Sequence, residues 1–249
     1  MSAFEESWPT FTRLRDEHGQ AALAFQSGVP GDLDMALFTL GPLGAFRHRA
    51  AFRDATVREI REIFRRGGND VVFQIEVPAE LVFVARMPKP LQGVMASFLA
   101  RGVTRLAREA PEGARFGIHL CLGDMNHRAL GNMTDATPVV LLANAIIKAW
   151  PEGRPLEFVH APFAAAQKMP RTDPAWYAPL RRLNLPRPIR FVAGFVHEDQ
   201  DLEEQRRLRA LIESNIGREV DVSTSCGLGR RTRSAAEAAL ERTAALSAD

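Results

Sequence analysis

Three residues in this sequence have the types and the placement to hold a soft divalent metal: His119, Cys121 and Cys226. His119 and Cys121 are separated by one residue at the end of an apolar run, residues 115–120. In an extended strand alternate side chains share a face, so an imidazole and a thiolate at this spacing can reach one ion. Cys226 follows another strand candidate, residues 220–225. His160 and His197 close two more, residues 156–159 and 189–196. Two thiolates with one or two imidazoles make a zinc ligand set. Taken singly, each of these residues could equally be a packed core side chain. Their shared position at the ends of runs is what points to a site.

The elements that must position them alternate along the chain. Apolar runs centred near residues 24, 73, 117, 158, 193 and 222 read as strands. Between them lie amphipathic stretches. Thr56-Val57-Arg58-Glu59 reads as a capping box that opens a helix closing at Gly67-Gly68. Residues 92–109, 138–150, 200–214 and 232–246 read as further helices, and Trp8 to Arg15 as one that precedes the first strand. Strand–helix alternation implies a parallel sheet with helices outside it. In a (β/α)8 barrel of the TIM type the strand C-termini converge on one face, where the active site lies. Six strands are two short of that barrel. The proline-rich stretch 162–188 contains Trp176 and Tyr177 and reads as an ordered loop over the site.

Composition sets the outer limits. The chain has 249 residues, 46% of them hydrophobic, which suits one α/β domain with a real core. Its net charge of +2 calls for neither a nucleic acid nor a membrane as partner. Arginines supply nearly all the positive charge and mostly stand beside acids on predicted helices, as a solvated surface would. No stretch is apolar for long enough to span a bilayer, and residues 1–16 carry acids without a hydrophobic signal core, so a cytoplasmic protein is expected. Two cysteines in such a protein read better as buried thiols or metal ligands than as a disulfide.

On these residues the sequence resembles the catalytic barrel of cobalamin-independent methionine synthase, and more closely the shorter bacterial proteins grouped with it and with uroporphyrinogen decarboxylase. The matching pieces are Phe73-Gln74-Ile75-Glu76-Val77-Pro78, Ile118-His119-Leu120-Cys121-Leu122-Gly123-Asp124, Phe158-Val159-His160-Ala161-Pro162, Gly194-Phe195-Val196-His197 and Ser225-Cys226-Gly227-Leu228-Gly229-Arg230-Arg231. The resemblance implies a single TIM-type domain in which the first two strand–helix units are missing. It implies Zn2+ held by His119, Cys121 and Cys226, a proton donor at His197, and Glu76 on a substrate amino group. Gln74, Asp124 and Trp176 are expected to complete the substrate site. The family's glutamate ligand has no counterpart at its usual place; the strand that should carry it ends in His160, which is the candidate fourth ligand or else a substrate contact. With His160 bound, two thiolates and two neutral imidazoles would leave the site formally neutral, which favours thiol deprotonation but blunts the thiolate.

The implied reaction is methyl or alkyl transfer to a small-molecule thiol from a separate methyl donor. A second reading keeps the zinc and makes the protein a hydrolase or lyase, with Asp124 or His127 as base. A third makes the chain one subunit of a transferase, with a second chain, or a second copy in a homo-oligomer, completing the barrel. Arg230-Arg231, after a glycine-rich turn, could form an anion site or lie on the surface.

Overall fold

The computed structural model describes residues 2–124, 126 and 128–248. Its centre is one sheet of six strands: β1 (Phe25–Pro30), β2 (Val71–Glu76), β3 (Arg115–His119), β4 (Leu156–Pro162), β5 (Arg190–Val196) and β6 (Asp221–Thr224). All neighbouring pairs are parallel, and the spatial order is the chain order. Parallel neighbours need a crossover, and helices supply it. These are α2 (Asp32–Gly67), α3 (Pro78–Arg86) with α4 (Lys89–Glu109), α5 (Thr137–Ala149), the short α6 (Pro174–Tyr177) and α7 (Leu202–Ile216). Helix α1 (Ser2–Glu17) precedes β1, and α8 (Arg233–Ala248) follows β6. A doubly wound sheet reverses its strand order part-way; this one does not, as in the wall of a barrel. No pairing closes β6 onto β1 among the described residues.

The strands show why the two faces differ. Phe73, Ile75, Phe116, Ile118, Val159, Ala161, Phe191, Ala193 and Phe195 alternate onto one face and join the buried apolar core under the helices. The residues between them, Gln74, Glu76, Gly117, His119, Phe158, His160 and Gly194, fall on the other. Gly117 has to be glycine, because a Cβ there would stand 2.1 Å from the Phe158 ring. The polar face thus carries Gln74, Glu76, His119 and His160, with glycine at 117 and 194 where neighbours come close.

Several boundaries differ from the sequence expectations. β1 runs from Phe25 to Pro30, later than the apolar run near residue 24 suggests, because its buried positions, Ser27 and Val29, alternate with exposed Gln26 and Gly28. Thr56 is not a helix start. It lies buried inside α2, which begins at Asp32 and bends at Gly41 (φ +66°) and Pro42. The stretch 162–188 is ordered, as expected, by α6 and a following 3-10 turn, with Trp176 and Tyr177 buried against Phe163. Helix α7 has the signals that make its ends legible: Asp201 accepts from the Glu203 and Glu204 amides, and Gly217 closes it in the left-handed region.

One contact between elements stores a pH dependence. Helix α3 starts directly after β2 and has no capping side chain of its own. Asp34 of α2 fills that role, accepting the Ala79 amide at 2.7 Å. Glu80 is buried beside it. Burial, with the neighbouring charge added, pushes Asp34 up to about 7 and Glu80 well above the usual carboxylate range. Groups whose acidity is weakened by folding stabilise the fold when protonated. That contribution is complete below the unfolded carboxylate pKa of about 4 and is lost as pH rises through 7. The protein should therefore be more stable at pH 5.5 than at pH 8, by about 2 kcal/mol from Asp34 alone. Glu80→Gln, which keeps a donor and removes a charge, should flatten the difference. Equal melting temperatures at both pH values would refute this account of the pair.

Candidate metal centre and cavity

The C-terminal ends of β2, β3 and β4 bring three polar side chains into one row, with Glu76 beside His119 and His119 beside His160 in register. Cys121 continues from β3, and Cys226 follows the end of β6. The sheet curves enough to close the distance between them: the two sulfurs are 3.8 Å apart. Two thiolates bound to zinc at about 2.3 Å with a tetrahedral angle have sulfurs about 3.8 Å apart, so the pair fits the ion. It is far too long for a disulfide, and both cysteines are free. His119, Cys121 and Cys226 each offer a ligand atom, and these atoms all lie within 4.8 Å of one another. An imidazole and two thiols match the soft, borderline preference of zinc.

The sulfurs are not equivalent. The Cys121 thiol donates to Cys226, which with nearby His119 draws Cys226 down to about 4. The same hydrogen bond, with burial, raises Cys121 well above the ordinary thiol range. The pair therefore shares one proton.

His160 is not in the three-residue group. Its Nδ1 lies 2.8 Å from His119 Nδ1 and its Nε2 lies 3.0 Å from the Thr224 carbonyl. Burial, reinforced by His119, pushes its pKa well below that of a free imidazole, so the ring is neutral.

A cavity of about 480 Å³ opens beside the two cysteines. Its walls are largely apolar, with Met35, Phe38, Val82 and Leu130, and its polar groups are Glu76, Asp124, Arg86 and Arg230. Glu76 is held by a chain in which Gln26 donates to Gln74 at 3.0 Å and Gln74 donates to Glu76 at 3.3 Å. Gln74 is therefore spent on Glu76 and does not line the cavity. Both oxygens of Asp124 are buried without a hydrogen-bond partner among the described residues. Nearly full burial of an unpaired carboxylate is costly, so this group calls for a cation or donor from the cavity side.

Three other expected residues are not brought to this cavity. His197 is fully buried; its Nδ1 accepts the Asp199 amide at 3.2 Å and its Nε2 lies 3.2 Å from the Ala166 carbonyl. Trp176 packs under Phe163 and lines a separate cavity with Met133 and Met169. Arg231 is paired with Glu198 at 2.9 Å and almost wholly buried, leaving Arg230 as the member of that couple at the cavity wall. His127 lies outside the described residues. Sequence reasoning missed the Thr224 carbonyl, a backbone acceptor with no side-chain signature. It also missed Gly194, although a glycine inside an apolar strand does signal close approach.

No family profile and no curated protein matches the chain. Among the solved structures that share its fold are two bacterial ones. The B12-independent methionine synthase from Shewanella sp. W3-18-1, in complex with selenomethionine, is 13% identical, with a TM-score of 0.55 over 93% of this chain and 64% of that one. A Listeria monocytogenes protein assigned as a vitamin-B12-independent methionine synthase is 10% identical, with a TM-score of 0.51 over 91% of this chain and 62% of that one. The chain thus spans just under two thirds of the structures it matches. At such identity the likeness shows a related α/β fold.

Proposed function

We propose that the protein is a zinc-dependent enzyme that alkylates, most simply methylates, a small-molecule thiol, on a sheet that forms part of a TIM-type barrel wall. The observation that carries this reading is the pair of sulfurs at zinc spacing with His119, opening onto a cavity that contains two acidic groups. His119, Cys121 and Cys226 would hold the ion, whose contribution when bound is to keep a substrate thiol deprotonated at neutral pH. Glu76, fixed by Gln74, orients a substrate ammonium. Asp124 gives that ammonium or a neighbouring donor a second partner. Met35, Phe38 and Val82 exclude water from the sulfur and bind the apolar part of the substrate. In the net reaction the sulfur gains the alkyl carbon and the donor's bond to that carbon breaks with its electron pair. The leaving group takes up a proton in place of the one the thiol released. A donor role for His197 would require the Ala166 and Asp199 contacts to open first.

Asp124 also favours a second reading, in which its carboxylate, without a partner among the described residues, is the base for attack by water on a non-thiol substrate. Cobalt-loaded protein separates the two. A small aminothiol should intensify the sulfur-to-cobalt charge-transfer absorption, and the S-methylated product should then appear by mass spectrometry with a methyl donor present. Glu76→Ala should weaken aminothiol binding about 10- to 100-fold, the worth of a charged hydrogen bond, and leave metal content unchanged. An absorption spectrum indifferent to every thiol would end the transferase reading.

A further inference from the structure

The metal group of three leaves a buried, fully engaged histidine next to it without a task. We infer that His160 is a positioning residue which, with the Thr224 carbonyl, fixes the proton of His119 on Nδ1 and so presents its Nε2 lone pair to the ion. This rests on the metal centre read above.

The hydrogen bonds leave one arrangement. A carbonyl oxygen only accepts, so His160 Nε2, 3.0 Å from Thr224 O, carries a hydrogen. The ring is buried, and neither of its nitrogens is bonded to a carboxylate, so it stays neutral and its Nδ1 is a lone pair. His119 Nδ1 lies 2.8 Å from that lone pair and must bring the hydrogen. The reverse tautomer of His119 would set two lone pairs against each other at that distance. The nitrogen left on His119 for the ion is Nε2, which faces the Cys226 thiolate before metal arrives.

The backbone is shaped for this contact. His160 sits on β4 and Thr224 on β6, so the ring must cross β5. It crosses at Gly194, where a Cβ would stand 2.6 Å from His160 Nε2 and 2.9 Å from the Ser225 Cα. Any side chain at 194 would close that path. The far end of the relay is also tied to a ligand: the Thr224 hydroxyl donates to the Cys226 carbonyl at 2.8 Å. The relay therefore couples the strand end of His119 to that of Cys226 across four strands. For His160 to bind the ion itself it would have to give up one of these two bonds. The arrangement instead gives three protein ligands and a fourth position open to substrate, the pattern of catalytic zinc. A ligating histidine whose other nitrogen is held by an outer partner is the usual means of fixing ring orientation.

Ring tautomers can be read directly from long-range proton–nitrogen spectra of 15N-labelled protein. Metal-free protein should show His160 protonated on Nε2 and His119 on Nδ1, whether or not thiol transfer occurs. Zinc should then shift His119 Nε2 and leave His160 in its tautomer. His160→Gln can make both bonds, because its amide oxygen and nitrogen are spaced like the ring nitrogens; His160→Leu can make neither. Competition with a chromophoric chelator should show zinc affinity nearly unchanged in the glutamine variant and weakened about 10- to 100-fold in the leucine variant. Gly194→Ala should weaken it in the same direction. The inference is overturned if His160 takes on the shifts of a zinc ligand, if both variants at 160 lose affinity equally, or if neither does. Wild-type protein that binds no zinc overturns the metal centre as well.

Discussion

Cys121→Ser is expected to lower zinc affinity by at least about a thousandfold, so that protein dialysed against a weak chelator retains no stoichiometric metal. Thiolate bonding supplies most of the affinity of a soft-ligand site, and a serine hydroxyl at neutral pH stays protonated and binds weakly. With three protein ligands in reach, losing one leaves two, too few to hold the ion against water. Cys226→Ser should do the same. The variants should fold, since Cys121 and Cys226 are held by short side chains at strand ends, outside the apolar core under the helices. Far-ultraviolet circular dichroism separates loss of metal from loss of structure. Folded Cys121→Ser protein with one equivalent of tightly bound zinc would remove the sulfur pair from any account of the site.

The sequence made the sulfur pair legible because the signal is local. His119-x-Cys121 needs only the two-residue period of a strand, and each cysteine follows a strand candidate. The parallel sheet was legible for the same reason, since its buried strands are continuous apolar runs between amphipathic helices. What failed to show depends on contacts between distant segments. Thr56-x-x-Glu59 has the composition of a helix start, yet α2 had already begun at Asp32, held there by tertiary packing that overrides the local motif. Asp34 capping α3 beside buried Glu80 has no pattern at all, because the two acids are brought together across the β1–β2 unit. His160 was visible as a polar strand end, but its partners are a ring on one neighbouring strand and a carbonyl two strands away on the other side. His197 occupies an equivalent strand end and is consumed by its own loop and by Ala166 of the loop after β4. Position at a strand end therefore selects candidates, and the hydrogen-bond partners decide among them.

In the proposed zinc site the shared proton of the cysteine pair would set the pH dependence of metal loading, with the sign given by its direction. Cys226 is pulled down to about 4 chiefly by the hydrogen bond from Cys121, so it is already a thiolate at neutral pH. Cys121 is pushed up by the same bond and by burial, so it is still a thiol. Zinc needs both as thiolates and must therefore displace one proton from the pair, not two. Affinity should fall as pH falls, about tenfold per unit and thus about a hundredfold between pH 8 and pH 6. Calorimetric titrations with zinc at pH 8, repeated in buffers of different ionisation enthalpy, should report one proton released from the cysteines. Release of two would mean that Cys226 begins protonated and that the sulfur–sulfur contact does not stabilise its anion. Release of none would mean that Cys121 stays a thiol while the metal binds elsewhere. The same proton count explains why one buried sulfur is an asset before metal arrives: Cys121 holds Cys226 as a thiolate, and the half-formed site already has the negative charge that attracts the ion.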